Sequence, residues 1–172
     1  RETAARTALG AAATQLLARA GVSLTAHVIE IGGVRAPELD PQWGPVDVSR
    51  RAHRSRVGCC DAAAGREMVA RIDEAQQRGE SLGGVVESIA WGVPAGLGSY
   101  AQWDRRLDGK LAQAMASIPS VKGVEIGQAR QVSKAFGRDA HDPILCEEGQ
   151  IVRPSNFAGG LEGGVSNGEP LA

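Results

Sequence analysis

The feature that most restricts how this chain can fold is the segment Ala158-Gly-Gly-Leu-Glu-Gly-Gly-Val-Ser-Asn-Gly168, with five glycines in eleven residues. No regular helix or strand tolerates that density, because glycine gives up the most backbone freedom on ordering and offers no side chain to pack. Such backbone suits tight turns, close approach of one main chain to another, or main-chain N–H groups aimed at an anion. The segment is neither a Walker A loop, since no Gly-Lys-Ser/Thr follows, nor the Gly-x-Gly-x-x-Gly dinucleotide fingerprint. On its own it reads equally as a structural loop and as a cofactor loop. The bias extends to the whole chain: 23 of 172 residues are glycine and only six are aromatic (Phe 2, Trp 3, Tyr 1). Small residues and turns must therefore carry much of the packing.

At 172 residues the chain suits one domain with its own core. Lys+Arg total 19 against 20 Asp+Glu, which argues against a general nucleic-acid binder. No apolar run reaches the ~18 residues of a membrane span. Cys59 and Cys60 are adjacent and Cys146 is distant. They form no disulfide framework and no zinc spacing, and read as free thiols of a reducing cytoplasm, the expected location.

Periodicity predicts a helix over 1–20, mostly alanine on its apolar stripe, expected to be buried and central and to pack one face on strands, but to leave apolar surface exposed in the isolated chain. A β-branched strand follows over 22–31. Residues 32–58 read as a loop. Its basic cluster (Arg50, Arg51, Arg54, Arg56) reads as solvated surface, since no aromatic residue interleaves with it. Asp61 is placed to cap a helix over about 62–78, with Met68, Val69, Ile72 and Ala75 inward, Glu67–Arg71 and Glu74–Arg78 as i,i+4 pairs, and Gly79 as its stop. A strand is expected over 81–91, a helix over about 105–117 capped by Asp104, and a short strand over 121–126. The alternation points to a layered, mixed α+β fold.

His27, within a strand, reads as a satisfied structural histidine. His53 lies in the loop segment. His141 and Asp142 are sequence neighbours, which on extended chain point to opposite sides and make no dyad. With no Gly-x-Ser-x-Gly elbow, a hydrolase has no support.

Four blocks, in one order along nearly the whole chain, resemble the chorismate synthase family. They are Arg1-Glu-Thr-Ala-Ala-Arg6; Asp73-Glu-Ala with Ser81-Leu-Gly-Gly-Val-Val-Glu87 and Gly92-Val-Pro-Ala-Gly-Leu-Gly98; Ser117-Ile-Pro-Ser-Val-Lys-Gly-Val-Glu-Ile-Gly127; and Ser155-Asn-Phe-Ala-Gly-Gly-Leu-Glu-Gly-Gly-Val-Ser-Asn-Gly-Glu-Pro170. The resemblance implies a β-α-β sandwich, incomplete in this chain, within a homotetramer. The implied reaction is 1,4-anti elimination of phosphate from 5-enolpyruvylshikimate 3-phosphate to give chorismate. Reduced FMN is the implied cofactor, and NADPH serves only to reduce the flavin. No nucleic acid or membrane partner is implied.

Family chains are more than twice as long. The Gly-Glu-Ser-His block and a second histidine, which transfer protons in the family, have no match here, nor does the Lys-Pro-Thr flavin loop. The chain is therefore expected to be the central portion of a single domain, with 32–58 as its variable loop. The resemblance assigns no catalytic residue within 1–172. It assigns Arg1 to substrate, and Pro119, Ser120 and Gly164 to flavin, with Pro119 replacing a usual Asn or Gln and leaving a main-chain contact. Gln128-Ala-Arg130 and Phe157 depart from the family pattern. A second reading is a non-catalytic, stand-alone binding or assembly protein derived from such an enzyme.

Overall fold

The computed structural model describes all 172 residues, which divide into two compact units: residues 1–22 with 90–172, and residues 23–89. The elements are mixed α and β, as expected.

β1 (Ser23–Ile31), β2 (Val34–Arg35) and β3 (Gly84–Trp91, which lies in the second unit up to Ile89) form a sheet in the order β2-β1-β3. β1 and β2 are antiparallel, pairing Glu30 with Arg35 and Ile31 with Val34. Two helices accompany the sheet: α2 (Pro45–Arg54) and α3 (Ala62–Arg78). α3 starts and stops where its sequence signals lie. Asp61 accepts a hydrogen bond from the Ala64 N–H at 2.7 Å, satisfying one of the orphan donors of the first turn. Gly79 closes the other end in the left-handed conformation, its N–H bonded to Ala75 and Gln76 carbonyls. Met68 is 0% exposed and packs with Cys59 and Ala64, while Val28, Ile31, Val34, Ala36 and Val57 complete the cluster.

The first unit holds α1 (Glu2–Arg19), a single 3₁₀ turn (Trp103–Arg105), α4 (Leu107–Ala116), the short helices α5 (Ala129–Val132) and α6 (Gly137–Ala140), and two hairpins. One hairpin joins β4 (Leu145–Glu147) to β5 (Gln150–Val152), and the other joins β6 (Leu161–Glu162) to β7 (Val165–Ser166). Its core is Val22, Val93, Leu161 and Leu171, with Ala90, Leu107, Leu111 and Ile126 against it.

Several expectations are corrected. α1 buries no residue, and Leu9 and Leu16 are 72% and 71% exposed. The helix is tied down by the turn into Val22 and by Arg6 donating to Ser117 Oγ at 3.0 Å, and its leucines stand exposed, as expected of the isolated chain. The segment 32–58 is not wholly loop: it contains β2 and α2, whose Val48 and Ala52 are buried. Pro45 at the first turn of α2 supplies a pre-set φ, and Asp47 accepts from the Gly44 N–H. Residues 121–126 form no strand. Asp104 does not cap α4; it lies in the 3₁₀ turn, and the extended backbone of Arg106 delays the helix to Leu107. The Glu67–Arg71 pair does not form, because Arg71 turns to Glu74 and to the Gly32 carbonyl. Glu74 also holds Arg78, as expected.

Met68 has no exposed surface and no room for a truncated side chain to be compensated. Met68→Ala is expected to cost about 2–5 kcal/mol, seen as a lower urea midpoint with an unchanged slope. An unshifted midpoint would contradict this core assignment.

Candidate functional site

Four residues were expected at a site, and all lie in the first unit. Pro119 and Ser120 follow α4. The Val121 N–H donates to the Ile118 carbonyl at 3.1 Å, and Ser120 has φ 71°. Proline at the second position of a four-residue turn and a positive φ at the third is the pattern of a type II turn. Proline presets the first dihedral. Serine at the third position costs free energy that glycine would not. The proline that departs from the family's usual residue thus has a local reason: it stabilises a turn that presents its main chain.

Arg1 precedes α1 and is exposed; its carbonyl accepts from the Ala5 N–H at 3.3 Å. Arg6, one and a half turns on, donates to Ser117 Oγ, and Ser117 Oγ donates to the Ala114 carbonyl at 2.7 Å. This link brings the start of α1 beside the Pro119–Ser120 turn. The partner of Arg6 lies 111 residues away, so no local signal could reveal this link.

Gly164 sits at the opposite end of α4. Its carbonyl accepts from the Leu107 N–H at 2.9 Å, the first residue of that helix. Ten helical residues separate the two places, roughly 15 Å at 1.5 Å per residue. The structure therefore groups Arg1 with Pro119–Ser120 and sets Gly164 apart, one helix length away.

The glycine-rich segment owes most of its composition to its own fold. Gly163 and Gly164 form the two-residue loop between β6 and β7, with φ 61° and 89°, as a type I′ hairpin requires. Gly160 and Gly159 lie so close to the 169–172 backbone that a Cβ on either would come within 2.7 Å of a carbonyl oxygen there. Gly159 also abuts Gly127. Ser166, 3% exposed, knits the segment to the 92–98 turn: its N–H and Oγ engage Leu97, and its Oγ donates to the Pro94 carbonyl at 2.7 Å. Gly163 alone in the hairpin turn faces open space.

Asp142 organises the start of this segment. The buried carboxylate accepts from Ser155 Oγ at 2.6 Å, the Phe157 N–H at 2.7 Å and the Ala158 N–H at 2.9 Å. Burial pushes its pKa up, but these three donors, with Arg153 nearby, outweigh burial and hold it below the ordinary carboxylate value. His141 beside it is exposed, so the two do face apart. Asp142 carried no sequence signal beyond that neighbour, because its three donors come from 13 to 16 residues downstream.

The other two histidines belong to the second unit. In the second unit His27 is buried, its Nε2 2.7 Å from Glu87 Oε2. His53 Nδ1 donates to the Ser49 carbonyl at 2.8 Å. The basic cluster is partly engaged: Arg50 pairs with Asp47 at 2.7 Å, and Arg51 lies over the Trp43 ring at 3.9 Å, an aromatic partner that the spacing did not suggest. Burial pushes the Cys59 and Cys60 thiols up, leaving them poor nucleophiles. No group of three or more His, Cys, Asp or Glu side chains is arranged to hold a metal ion.

A family profile described as chorismate synthase matches residues 1–172. The chain is 54% identical to a chorismate synthase of Moorella thermoacetica, covering 99% of this chain and 44% of that protein. It is 48% identical to a chorismate synthase of Leifsonia xyli subsp. xyli, covering 99% of this chain and 42% of that one. A crystal structure of a chorismate synthase shares the fold with a TM-score of 0.90 at 42% identity, over 99% of this chain and 53% of that chain. The chain thus spans less than half the length of these curated relatives.

Two expectations follow from the geometry. In Gly127→Ala the new Cβ would lie 2.2 Å from the Phe157 carbonyl oxygen and 2.5 Å from the Gly159 nitrogen. Neither backbone can yield, so a loss above about 4 kcal/mol is expected, against about 1–2 kcal/mol for Gly163→Ala, which pays only for its left-handed backbone. Thermal melts of the two variants test the contrast; equal losses would refute it. Asp142 has a folded-state pKa below its ordinary value of 3.8. The stability it contributes is therefore complete above that value and is lost as the pH falls through the lower folded value. Asp142→Asn is expected to flatten the acid limb of a stability-against-pH curve and to cost about 1–3 kcal/mol near neutrality. An acid limb identical to that of the unsubstituted chain would count against the assignment.

Proposed function

Because this chain belongs to the chorismate synthase family, we propose that it is the central portion of a lyase that converts 5-enolpyruvylshikimate 3-phosphate to chorismate and phosphate by 1,4-anti elimination. The observation that carries this reading is the family match over residues 1–172. We propose further that the complete enzyme uses reduced FMN, with NADPH at most as the source of flavin electrons, and works as a cytoplasmic homotetramer.

The residues present fit a flavin at main-chain positions. Ser120 holds a left-handed backbone that a tight turn alone would leave to glycine, and Gly163 borders open space in the hairpin turn. Pro119, Ser120 and Gly164 would hold the group by main-chain contact, since Gly164 has its side-chain position filled by Arg106. When bound, reduced FMN supplies transient electron donation to the carbon that loses phosphate. Arg1 would bind an anionic group of the substrate as a charge-assisted donor. The Arg6–Ser117 link would hold the start of α1 against the Ser120 turn, and so set the position of Arg1 relative to it. The resemblance matches none of the three histidines here to the family's proton-transfer positions, so proton transfer is assigned to groups outside 1–172.

The test is chorismate formation under anaerobic conditions with reduced FMN. A full-length enzyme carrying this segment is expected to turn over. The 172-residue chain is expected to be inactive and to bind FMN more weakly than micromolar. In the full-length enzyme, Arg1→Ala is expected to weaken substrate use, on the order of tenfold or more in kcat/KM, with little change in FMN affinity. Inactivity of the full-length enzyme would support the non-catalytic reading instead. Unimpaired Arg1→Ala enzyme would remove Arg1 from the site.

A further inference from the structure

Arg1 and Arg6 stand at the start of one helix, but their guanidinium groups are used differently. Arg1 is exposed and precedes the helix. Arg6 is committed at every nitrogen. Its Nε and Nη2 both lie 3.0 Å from Glu2 Oε1, and its Nη1 donates to Ser117 Oγ at 3.0 Å. Ser117 Oγ is able to accept because its own proton goes to the Ala114 carbonyl at 2.7 Å. Glu2, Arg6, Ser117 and the last turn of α4 thus form one continuous chain of hydrogen bonds. Glu2 and Arg6 are four residues apart and share a helix face. The planar fork of Arg6 then holds a carboxylate along one edge and a hydroxyl along the other.

Both arms leading away from this chain are stiff. On one side a helical turn joins Arg6 to Arg1, whose carbonyl accepts from the Ala5 N–H; five helical residues amount to roughly 8 Å along the axis. On the other side Ser117 leads to Ser120 through bonded turns. The Ile118 N–H donates to the Met115 carbonyl and the Val121 N–H to the Ile118 carbonyl, each at 3.1 Å. Pro119 fixes a dihedral within that stretch, and three residues of chain reach at most about 10 Å. A link with two short, stiff arms transmits position. A shift at Arg6 or Ser117 becomes a shift of Arg1 relative to Ser120.

We infer that the Glu2–Arg6–Ser117 chain is a positioning device that holds Arg1 and the Pro119–Ser120 turn at a fixed separation. This rests on the reading given under Proposed function, in which Arg1 meets the substrate and the turn meets the flavin. Arg6 itself touches neither ligand. Its loss leaves each ligand bound by its own segment but out of register with the other. Where two bound molecules must meet in one geometry, a misplacement of about 1 Å costs on the order of a hundredfold in rate. The loss therefore falls on kcat and spares both affinities.

The experiment uses full-length enzyme carrying this segment. Turnover is measured anaerobically with reduced FMN. Affinities for FMN and for 5-enolpyruvylshikimate 3-phosphate are measured by calorimetry with the flavin oxidised, and each variant is melted. Arg6→Gln and Ser117→Ala are each expected to lower kcat roughly tenfold or more, with both affinities nearly unchanged. Glu2 and Arg6 are exposed enough to contribute little stability, so the melts should not move. The double variant is expected to lose no more than either single one, because both break the same link. Ser117→Thr keeps the hydroxyl and is expected to retain most of the kcat that Ser117→Ala loses. Arg6→Lys keeps the charge but not the fork and is expected to resemble Arg6→Gln. Unchanged kcat in Arg6→Gln and Ser117→Ala, in an enzyme that binds FMN and makes chorismate, overturns this inference alone. A loss of substrate affinity in Arg6→Gln that Ser117→Ala does not share also overturns it, by making Arg6 a substrate contact. Melting temperatures that fall in step with kcat overturn it too, by making the link a structural support. Unsubstituted full-length enzyme that neither binds FMN nor makes chorismate overturns this inference together with the reading it rests on.

Discussion

Main chain packed directly on main chain is the interaction on which the first unit depends. Gly127 lies against Phe157 and Gly159, Gly98 against Gly164, Gly92 against the Gly21 carbonyl, and Gly159 and Gly160 against the last four residues of the chain. At each of these positions even a methyl group would fall well inside van der Waals contact. With only six aromatic residues in the chain, large side chains cannot supply the bulk of the packing. Close backbone approach takes their place, and it demands glycine at the crossings.

Such packing brings many peptide groups out of water away from long strands and helices, so they need individual partners. Three short polar side chains do this work. Asp142 accepts from two successive peptide N–H groups and a serine. Asn156 donates to the Pro170 carbonyl and accepts from the Gly160 N–H. Ser166 bridges two turns. Each reaches main chain that sequence spacing would not bring near it.

The second unit follows more ordinary rules. Met68, Cys59 and Ala64 make a small core under the β2-β1-β3 sheet. The half-buried pair of His27 with Glu87 ties β1 to β3, but the other ring nitrogen of His27, Nδ1, is buried without a hydrogen-bond partner, so the histidine is only half satisfied and the reading of a fully satisfied histidine is corrected. The unit's two adjacent cysteines are buried and reduced, packed as small apolar residues.

Local signals decided a definite part of this protein. The span and caps of α3 were legible because Asp61 and Gly79 act within one turn of the helix they bound. The strands β1 and β3 were legible from β-branched content. The four family blocks were legible as a pattern, and with them the kinship that the comparisons bear out. What only the tertiary structure decided depends on contacts between distant residues. These include the exposure of α1, the helix within 32–58, the absence of a strand at 121–126, the Arg6–Ser117 link and the three donors that converge on Asp142. The glycine-rich segment shows both limits together. Its composition announced that close approach or special dihedrals were required. Which backbone would approach was set by Gly127, Gly98 and the chain end, brought in from far along the sequence, because a glycine encodes permission for contact and carries no side chain to specify the partner.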